Sequence, residues 1–417
     1  MRKKHYFIIF ICIICLLLIL MLATVNTDKK GFDKISVIGK IKSVIFNIRS
    51  KILQGKKINI KKFIVGNLGH NFYKYYIPLE NKEVSKNKPT GYLAQYSDKI
   101  IFVSGTGIFY LFDEKDFNSK KINFTEIKNN FKKIIDFDEN ILGKGPLGIR
   151  DIKIHDDFIY LSYQKKKLED CYNLAIARSR INFKELNFEP FFSFDECSKK
   201  KEGAWAVLSG GRMVFKGDNI FFSIGEMALR SISQNEKSYF GKIIKFNKNN
   251  PNKVEIISKG LRNSQGMFYD DIKDLILITD HAEVSGDEIN VLSDFNVITN
   301  FGWPKASYGI PYNNKPNNYL KSHKKHDFKE PVFYFREEGI GISQIIGYDL
   351  SRNNLRYLLT SMRAKKIFFL DYQNNENLLI KEDIDIGERI RDIIKIKNKN
   401  KYLMVLETSP AIGVIKY

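Results

Sequence analysis

Six copies of one short phrase constrain this chain more than any other feature of it. A polar turn leads into an apolar strand that usually ends in serine or threonine. The phrase reads Asp98-Lys-Ile-Ile-Phe-Val-Ser104, Asp157-Phe-Ile-Tyr-Leu-Ser162, Asp218-Asn-Ile-Phe-Phe-Ser223 and Asp274-Leu-Ile-Leu-Ile-Thr279, with looser copies from Asn354 to Thr360 and from Asn400 to Leu406. Short runs of Ile, Phe, Tyr and Val bounded by Asp, Asn, Gly and Lys are strand-and-turn chemistry. The starts lie 59, 61, 56, 80 and 46 residues apart, and the long interval holds the turn-rich stretch Asn300 to Asn318. Each interval is about the length of a four-stranded blade. Radial repetition of such units leaves few exposed sheet edges, so the pattern predicts an all-β, six-bladed β-propeller over residues 64–417. A pair of β-sandwiches would not repeat the phrase so regularly. In a propeller, loops from several blades meet at the mouth of the channel, and motifs distant in sequence can share one site.

The N-terminus follows a different rule. Tyr6 to Val25 is twenty residues without a charge, preceded by Arg2, Lys3, Lys4 and His5. As a helix it spans roughly 30 Å, the thickness of a bilayer core. The basic flank favours the cytoplasm, which places the remaining chain outside it. Residues 1–25 are therefore expected to be a cytoplasmic stub and transmembrane anchor. A cleavable signal peptide is the alternative, although its apolar region runs about 7–15 residues and ends in a small-x-small site, which Ala23-Thr24-Val25 matches poorly. Both alternatives export the chain to the periplasm or cell exterior. In residues 26–63, Ile35, Ile38, Ile41, Ile45, Ile48 and Ile52 recur at helical spacing among lysines and arginines. That segment reads as a basic juxtamembrane amphipathic helix, lying on lipid or packing as an ordinary helix.

Cysteine usage agrees with export. Cys12 and Cys15 lie inside the apolar run, leaving Cys171 and Cys197 in the folded part. In an oxidising compartment these two form one disulfide; the alternative is a pair of buried thiols. The formal net charge of +21 does not point to nucleic acid. The lysines are scattered among Asn and Ile along the whole chain, and no zinc-finger, RRM or helix-turn-helix pattern is present.

Seven segments, in order, carry a resemblance to a known family. They are Ser209-Gly-Gly-Arg-Met-Val-Phe, Asp218 to Glu226, Phe240-Gly-Lys-Ile-Ile, Gly260-Leu-Arg-Asn-Ser-Gln-Gly266, Asp280-His-Ala-Glu-Val-Ser-Gly-Asp-Glu-Ile-Asn290, Asn300-Phe-Gly-Trp-Pro304 with Ser307-Tyr-Gly309, and Glu388-Arg-Ile-Arg-Asp392. From about residue 140 to the C-terminus the chain resembles the glucose/sorbosone dehydrogenase family, whose soluble members oxidise aldoses with pyrroloquinoline quinone (PQQ). The resemblance implies PQQ and calcium as cofactors and a small sugar as substrate. It maps the cofactor-facing groups onto Arg262, Asn263, Arg363, Arg389 and Arg391. PQQ carries three carboxylates, and guanidinium groups suit planar, bidentate capture of carboxylate. Arg389 and Arg391, two apart, would share one face of a strand.

The departures from the family pattern are informative. Leu208 stands where the family places a histidine that takes the sugar hydroxyl proton, and leucine accepts no proton. Glu226 replaces the family's neighbouring aspartate and could still act electrostatically. His281 is the one histidine inside a matched motif, a replacement base or a structural member of its loop. Where the family offers the carbonyls of a Gly-Pro pair to calcium, this chain has Ala282 and Glu283; backbone carbonyls survive substitution and a carboxylate is a hard oxygen ligand, so these two residues are expected to hold calcium in an altered site. Asp287 and Glu288 match an acidic pair associated with a structural calcium; a solvated acidic turn is the alternative. His323 and His326 have a spacing that could pair on a metal, but a solvated loop fits them better. Two functions follow: a PQQ-dependent sugar oxidoreductase, or a catalytically degenerate propeller that binds an anionic or carbohydrate ligand. Lactone hydrolysis at a central calcium has fold analogy as its sole support.

Overall fold

Each of the six phrases is the second strand of its own antiparallel sheet. In the computed structural model these strands are Lys99–Ser104, Phe158–Leu168, Asn219–Ile224, Leu275–Asp280, Asn354–Ser361 and Lys401–Leu406. The structure describes residues 52–65, 68–79, 91–134, 148–168, 171–199, 208–312, 319–351, 354–373, 377–397 and 401–416. The expected anchor, Tyr6 to Val25, and all of the amphipathic isoleucine run except Ile52 lie outside the described residues.

The sheets hold four or five strands each. Numbered in chain order, blades 1 to 6 begin with the inner strands Gly91–Tyr96, Ile149–His155, Gly210–Lys216, Ser264–Asp270, Ile342–Ser351 and Ile390–Lys395. Every inner strand contacts the next, and that of blade 6 contacts that of blade 1, so the ring is closed. Blade 6 is shared between the two ends of the chain. Its three C-terminal strands are completed by Leu68–Tyr76, which pairs with Ala411–Lys416, and then by Lys57–Val65. That outermost strand starts before residue 64, where the propeller was expected to begin; the alternation in Lys57-Ile-Asn-Ile-Lys is strand periodicity.

The phrase is apolar without alternation because its strand is covered on both faces. Ile100 to Val103 and Ile220 to Phe222 are all buried against neighbouring blades. Burying each such side chain is worth about 1.5–3 kcal/mol. The terminal hydroxyls have a separate task. Ser162 of blade 2 donates to the Gly211 carbonyl on the inner strand of blade 3. Ser223 of blade 3 donates to Ser264 O of blade 4 at 3.4 Å, and Thr279 of blade 4 to Ser343 O of blade 5 at 2.6 Å. In blade 5 the bond is relayed, since Ser343 Oγ lies 2.8 Å from the Thr360 hydroxyl and donates to Ile390 O of blade 6 at 2.8 Å. The serine or threonine thus ties one blade to the next. Ser104 differs: it accepts Ile108 N–H within its own hairpin, and Ile149 N–H bonds to Gly105 O instead.

Cys171 and Cys197 form a disulfide that ties the short strand Ser198–Lys199 to the third strand of blade 2. The long interval between phrases also has a structural origin. After its third strand, blade 4 sends the chain out to Thr299–Asn300, which pairs in parallel with the Asn250–Lys259 strand of blade 3. The following turn carries Trp303 and Tyr319 over the same end of the ring as the site described next.

Candidate functional site

Five inner strands open with a β-bulge. Pairing registers shift between Ile149 and Asp151, Gly210 and Met213, Ser264 and Gly266, Ile342 and Ile345, and Ile390 and Asp392. A bulge inserts an extra residue and re-aims its side chain. Among the bulged residues, Arg150, Arg212, Gln265 and Arg391 line a cavity of about 170 Å³. Tyr92 of blade 1, Leu208, Ser209 and Gly210 before and within blade 3, and Asn263 and His281 of blade 4 complete its wall. Blades 1, 2, 3, 4 and 6 therefore meet at one place.

The floor is an ion-pair junction. Arg212 Nη1 lies 3.1 Å from Asp151 Oδ1 and 2.9 Å from Asp392 Oδ1, its Nε donates to Gln265 O at 2.6 Å, and its guanidinium covers the Tyr92 ring at 4.8 Å. Burial works against this cation, but Asp392 and Asp151 outweigh it and hold the pKa above the ordinary arginine value. Above the junction, Arg391 donates from Nε to Glu407 at 2.6 Å and from Nη1 to Gln265 Oε1 at 2.8 Å. Burial pulls the Arg150 pKa down to about 10; Arg391 adds to that and Tyr92 opposes it. A guanidinium whose charged form is disfavoured in this way gains from an anion placed beside it. The wall offers guanidinium groups to an anionic ligand.

Two groups with proton chemistry stand nearby. His281 Nδ1 lies 2.7 Å from Asp287 Oδ1. Burial works against the Asp287 carboxylate, yet the His281 ring and the N–H groups of Ile342 and Ala282 hold its pKa below the ordinary value. With Nδ1–H directed at an ionised carboxylate, Nε2 is left as the acceptor. Glu226 is buried behind the wall, where Trp303 Nε1 donates to its Oε2 at 2.6 Å and Arg262 Nε lies 3.7 Å from its Oε1. Burial pushes the Glu226 pKa up to about 7, against the pull of Arg262 and Trp303.

The proposed calcium positions divide. The Ala282 carbonyl accepts a hydrogen bond from Arg262 Nη1, which also donates to His281 O at 2.7 Å. The Glu283 carboxylate turns towards Tyr312 and Tyr319, bonding the Tyr319 hydroxyl and, at 3.3 Å, Tyr312 N–H, with Arg230 at 3.7 Å. Asp287 is engaged with His281, Ala282 N–H and Ile342 N–H. Glu288 differs. Burial, then Asp280, push its pKa up to about 8, Asn290 Nδ2 is 3.3 Å away, and the buried Asn290 Oδ1 has no hydrogen-bond partner. His323 Nε2 lies 3.6 Å from its Oε1. His323 is wholly buried against Tyr308, not in a solvated loop, and burial pulls its pKa down to about 4.

Asn263, Arg391 and His281, all singled out by motif, thus line the cavity together with Leu208. Arg262 sits behind them, holding the His281–Ala282 loop. Arg389 does not line the cavity; like Arg391 it engages Glu407, at 3.3 Å. Arg363 has an exposed side chain and is not part of the wall. The motifs missed Arg150, Tyr92 and the counter-ion Glu407, and gave no role to Gln265 and Arg212, which lie inside the quoted segments. One signal was present: Ile149-Arg-Asp151 repeats as Ile390-Arg-Asp392, at equivalent bulges, with both arginines in the wall and both aspartates on Arg212.

A family model described as Glucose / Sorbosone dehydrogenase matches residues 110–412. Aldose sugar dehydrogenase YliI of Escherichia coli (strain K12) is 24% identical over 296 residues, covering 65% of this chain and 77% of that protein. The crystal structure of the soluble aldose sugar dehydrogenase from Escherichia coli in the apo-form superposes with a TM-score of 0.62 at 18% identity, covering 80% of this chain and 97% of that one. The PQQ-bound form of aldose sugar dehydrogenase from Streptomyces coelicolor gives a TM-score of 0.58 at 16% identity, covering 87% and 98%. Both structural likenesses are of fold.

Proposed function

The chain belongs to the glucose/sorbosone dehydrogenase family, and from that premise we propose that it is a membrane-anchored, extracytoplasmic oxidoreductase that oxidises an aldose to a lactone with PQQ. The observation that carries the proposal is the convergence of Arg150 and Arg391, from blades 2 and 6, with Asn263 and Gln265 on one cavity. Those side chains would hold the carboxylates of PQQ. When bound, PQQ supplies a quinone carbonyl able to accept hydride. His281 would take the sugar hydroxyl proton on Nε2, and Asp287 would stabilise the resulting imidazolium. Glu226 keeps Trp303 and Arg262 in place. Glu288, with Asn290 beside it, is the residue of the acidic pair suited to a structural calcium. Export and anchoring are supported by the uncharged run Tyr6 to Val25 behind its basic flank, and by a disulfide, which persists in oxidising compartments.

The test is dye reduction by the detergent-purified full chain supplied with PQQ and calcium, across a panel of aldoses. Turnover should appear for at least one sugar. His281→Asn should lower it by about 10²–10⁴-fold, the usual contribution of a positioned base, while the absorption of bound PQQ persists. Background rates for every sugar would end the catalytic claim.

Leu208 favours a second reading. It lines the cavity, at the position where the family's histidine was expected. A protein that binds PQQ or a sugar without turnover, and gains turnover in Leu208→His, would be a degenerate, ligand-holding member of the family.

A further inference from the structure

We propose that the N-terminal strand Leu68–Tyr76 is part of the ligand site, with Lys74 as a positioning residue. Its ammonium holds the turn that aims Arg391, so that ligand binding and the seating of this strand strengthen each other. The inference rests on the cofactor assignment above only in naming the ligand. The strand pairs with Ala411–Lys416 as the fourth of blade 6 and precedes residue 110, where the family match begins. Among the described residues, none from this strand lines the cavity.

Lys74 is unusual for such a strand. Its side chain is 7% exposed and paired with Glu388, itself 8% exposed. Taking both charges out of water carries a desolvation cost that apolar side chains would not incur. What the pair does instead is grip a turn. Glu388 accepts the Ser409 hydroxyl at 2.8 Å and Ser409 N–H at 3.2 Å, and Lys74 Nζ donates to the same hydroxyl oxygen at 2.9 Å. Two residues before Ser409, Glu407 receives Arg391 Nε at 2.6 Å. The turn is also bonded to the start of the inner strand, since Glu407 N–H donates to Arg389 O at 2.8 Å and Arg389 N–H to the Thr408 hydroxyl at 3.0 Å. Arg391 then reaches Gln265 in the cavity wall at 2.8 Å. A continuous path therefore runs from the strand through the turn 407–409 to the cavity. Among the described residues Lys74 is the one ion-pair partner of Glu388, so removing the ammonium leaves a buried carboxylate without its counter-charge. That carboxylate must recruit water or a proton, and either weakens its hold on Ser409. Such coupling is reciprocal: whatever the seated strand adds to ligand affinity, bound ligand adds to the seating of the strand.

The test is amide hydrogen exchange in the detergent-purified full chain, with PQQ as ligand. Saturating PQQ should slow the amides of Leu68–Tyr76 by about tenfold more than those of Asn377–Asp385, an outer strand of blade 5 that takes no part in the path. Lys74→Met should weaken PQQ binding by about tenfold, and Lys74→Arg should bring it back to within about threefold. At saturating PQQ the extra protection of Leu68–Tyr76 should be absent from the Lys74→Met protein. A lysine that served stability alone would speed exchange throughout the ring and leave that protection in place. Equal protection of the two strands by PQQ, or unchanged PQQ affinity in Lys74→Met, would overturn the inference. Should Lys74→Met fail to fold, the comparison of the two strands in the unaltered chain still decides. If PQQ does not bind the unaltered chain, the cofactor assignment falls, and the positioning role is judged without ligand. It then requires the Arg389 and Glu407 amides to exchange about tenfold faster in Lys74→Met, relative to those of Asn377–Asp385, and equal rates would end it.

Discussion

Individual residues here answer to local chemistry that the sequence displays unevenly. Asn263, His281 and Arg391 were legible because motif order carried them, and all three line the cavity. Arg150 was not, since a lone arginine in an apolar strand looks like surface charge until a bulge turns it inward. Glu407 was equally silent: its function is to receive Arg391 and Arg389 from an adjacent strand. Glu226 makes a prediction at this scale. Its carboxyl is buried with a pKa of about 7 against an ordinary 4.5, so the folded state holds its proton more tightly than the unfolded state does. That stability is full below about pH 4.5 and is lost as pH rises to about 7 and beyond, by about 3 kcal/mol from this group. Glu226→Gln should therefore flatten the fall in unfolding free energy between pH 5 and 8, measured by urea melts at each pH. An unchanged slope would mean that Glu226 is ionised at no cost in the folded protein.

At the scale of elements, the second strands were legible and the inner strands were not. Second strands are buried on both faces and end in a hydroxyl that bonds the next blade, so selection for packing and for one hydrogen bond writes the same phrase repeatedly. Inner strands carry bulges and cavity-facing side chains, most of which differ from blade to blade and erase the repeat. If the hydroxyls tie blades together, Thr279→Val, nearly isosteric, leaves Ser343 O without its 2.6 Å donor in a dry place. The expected cost is about 1–3 kcal/mol of stability, read from chemical denaturation. A loss within error would assign the Thr279 bond no share in holding blades 4 and 5 together. The disulfide was half legible: two cysteines in a domain expected to be exported suggest a bond, but whether they meet depended on a strand pairing that only the fold reveals.

For the whole molecule, six repeats implied six blades, and the ring closes as expected, with blade 6 assembled from both ends of the chain. The site is a property of that closure. Arg150 and Arg391 are 241 positions apart in sequence and meet because blades 2 and 6 both open with Ile-Arg-Asp at a bulge facing the channel. The central claim is that these guanidinium groups hold a polycarboxylate quinone, and the most direct measurement is an absorption titration of the full chain with PQQ. Saturable, one-to-one binding is predicted, weakened about 10–100-fold by Arg150→Met and again by Arg391→Gln, the usual worth of a charge-assisted hydrogen bond, and unaffected by Arg363→Met. Failure to saturate, or equal affinity in the Arg150→Met/Arg391→Gln protein, would contradict it.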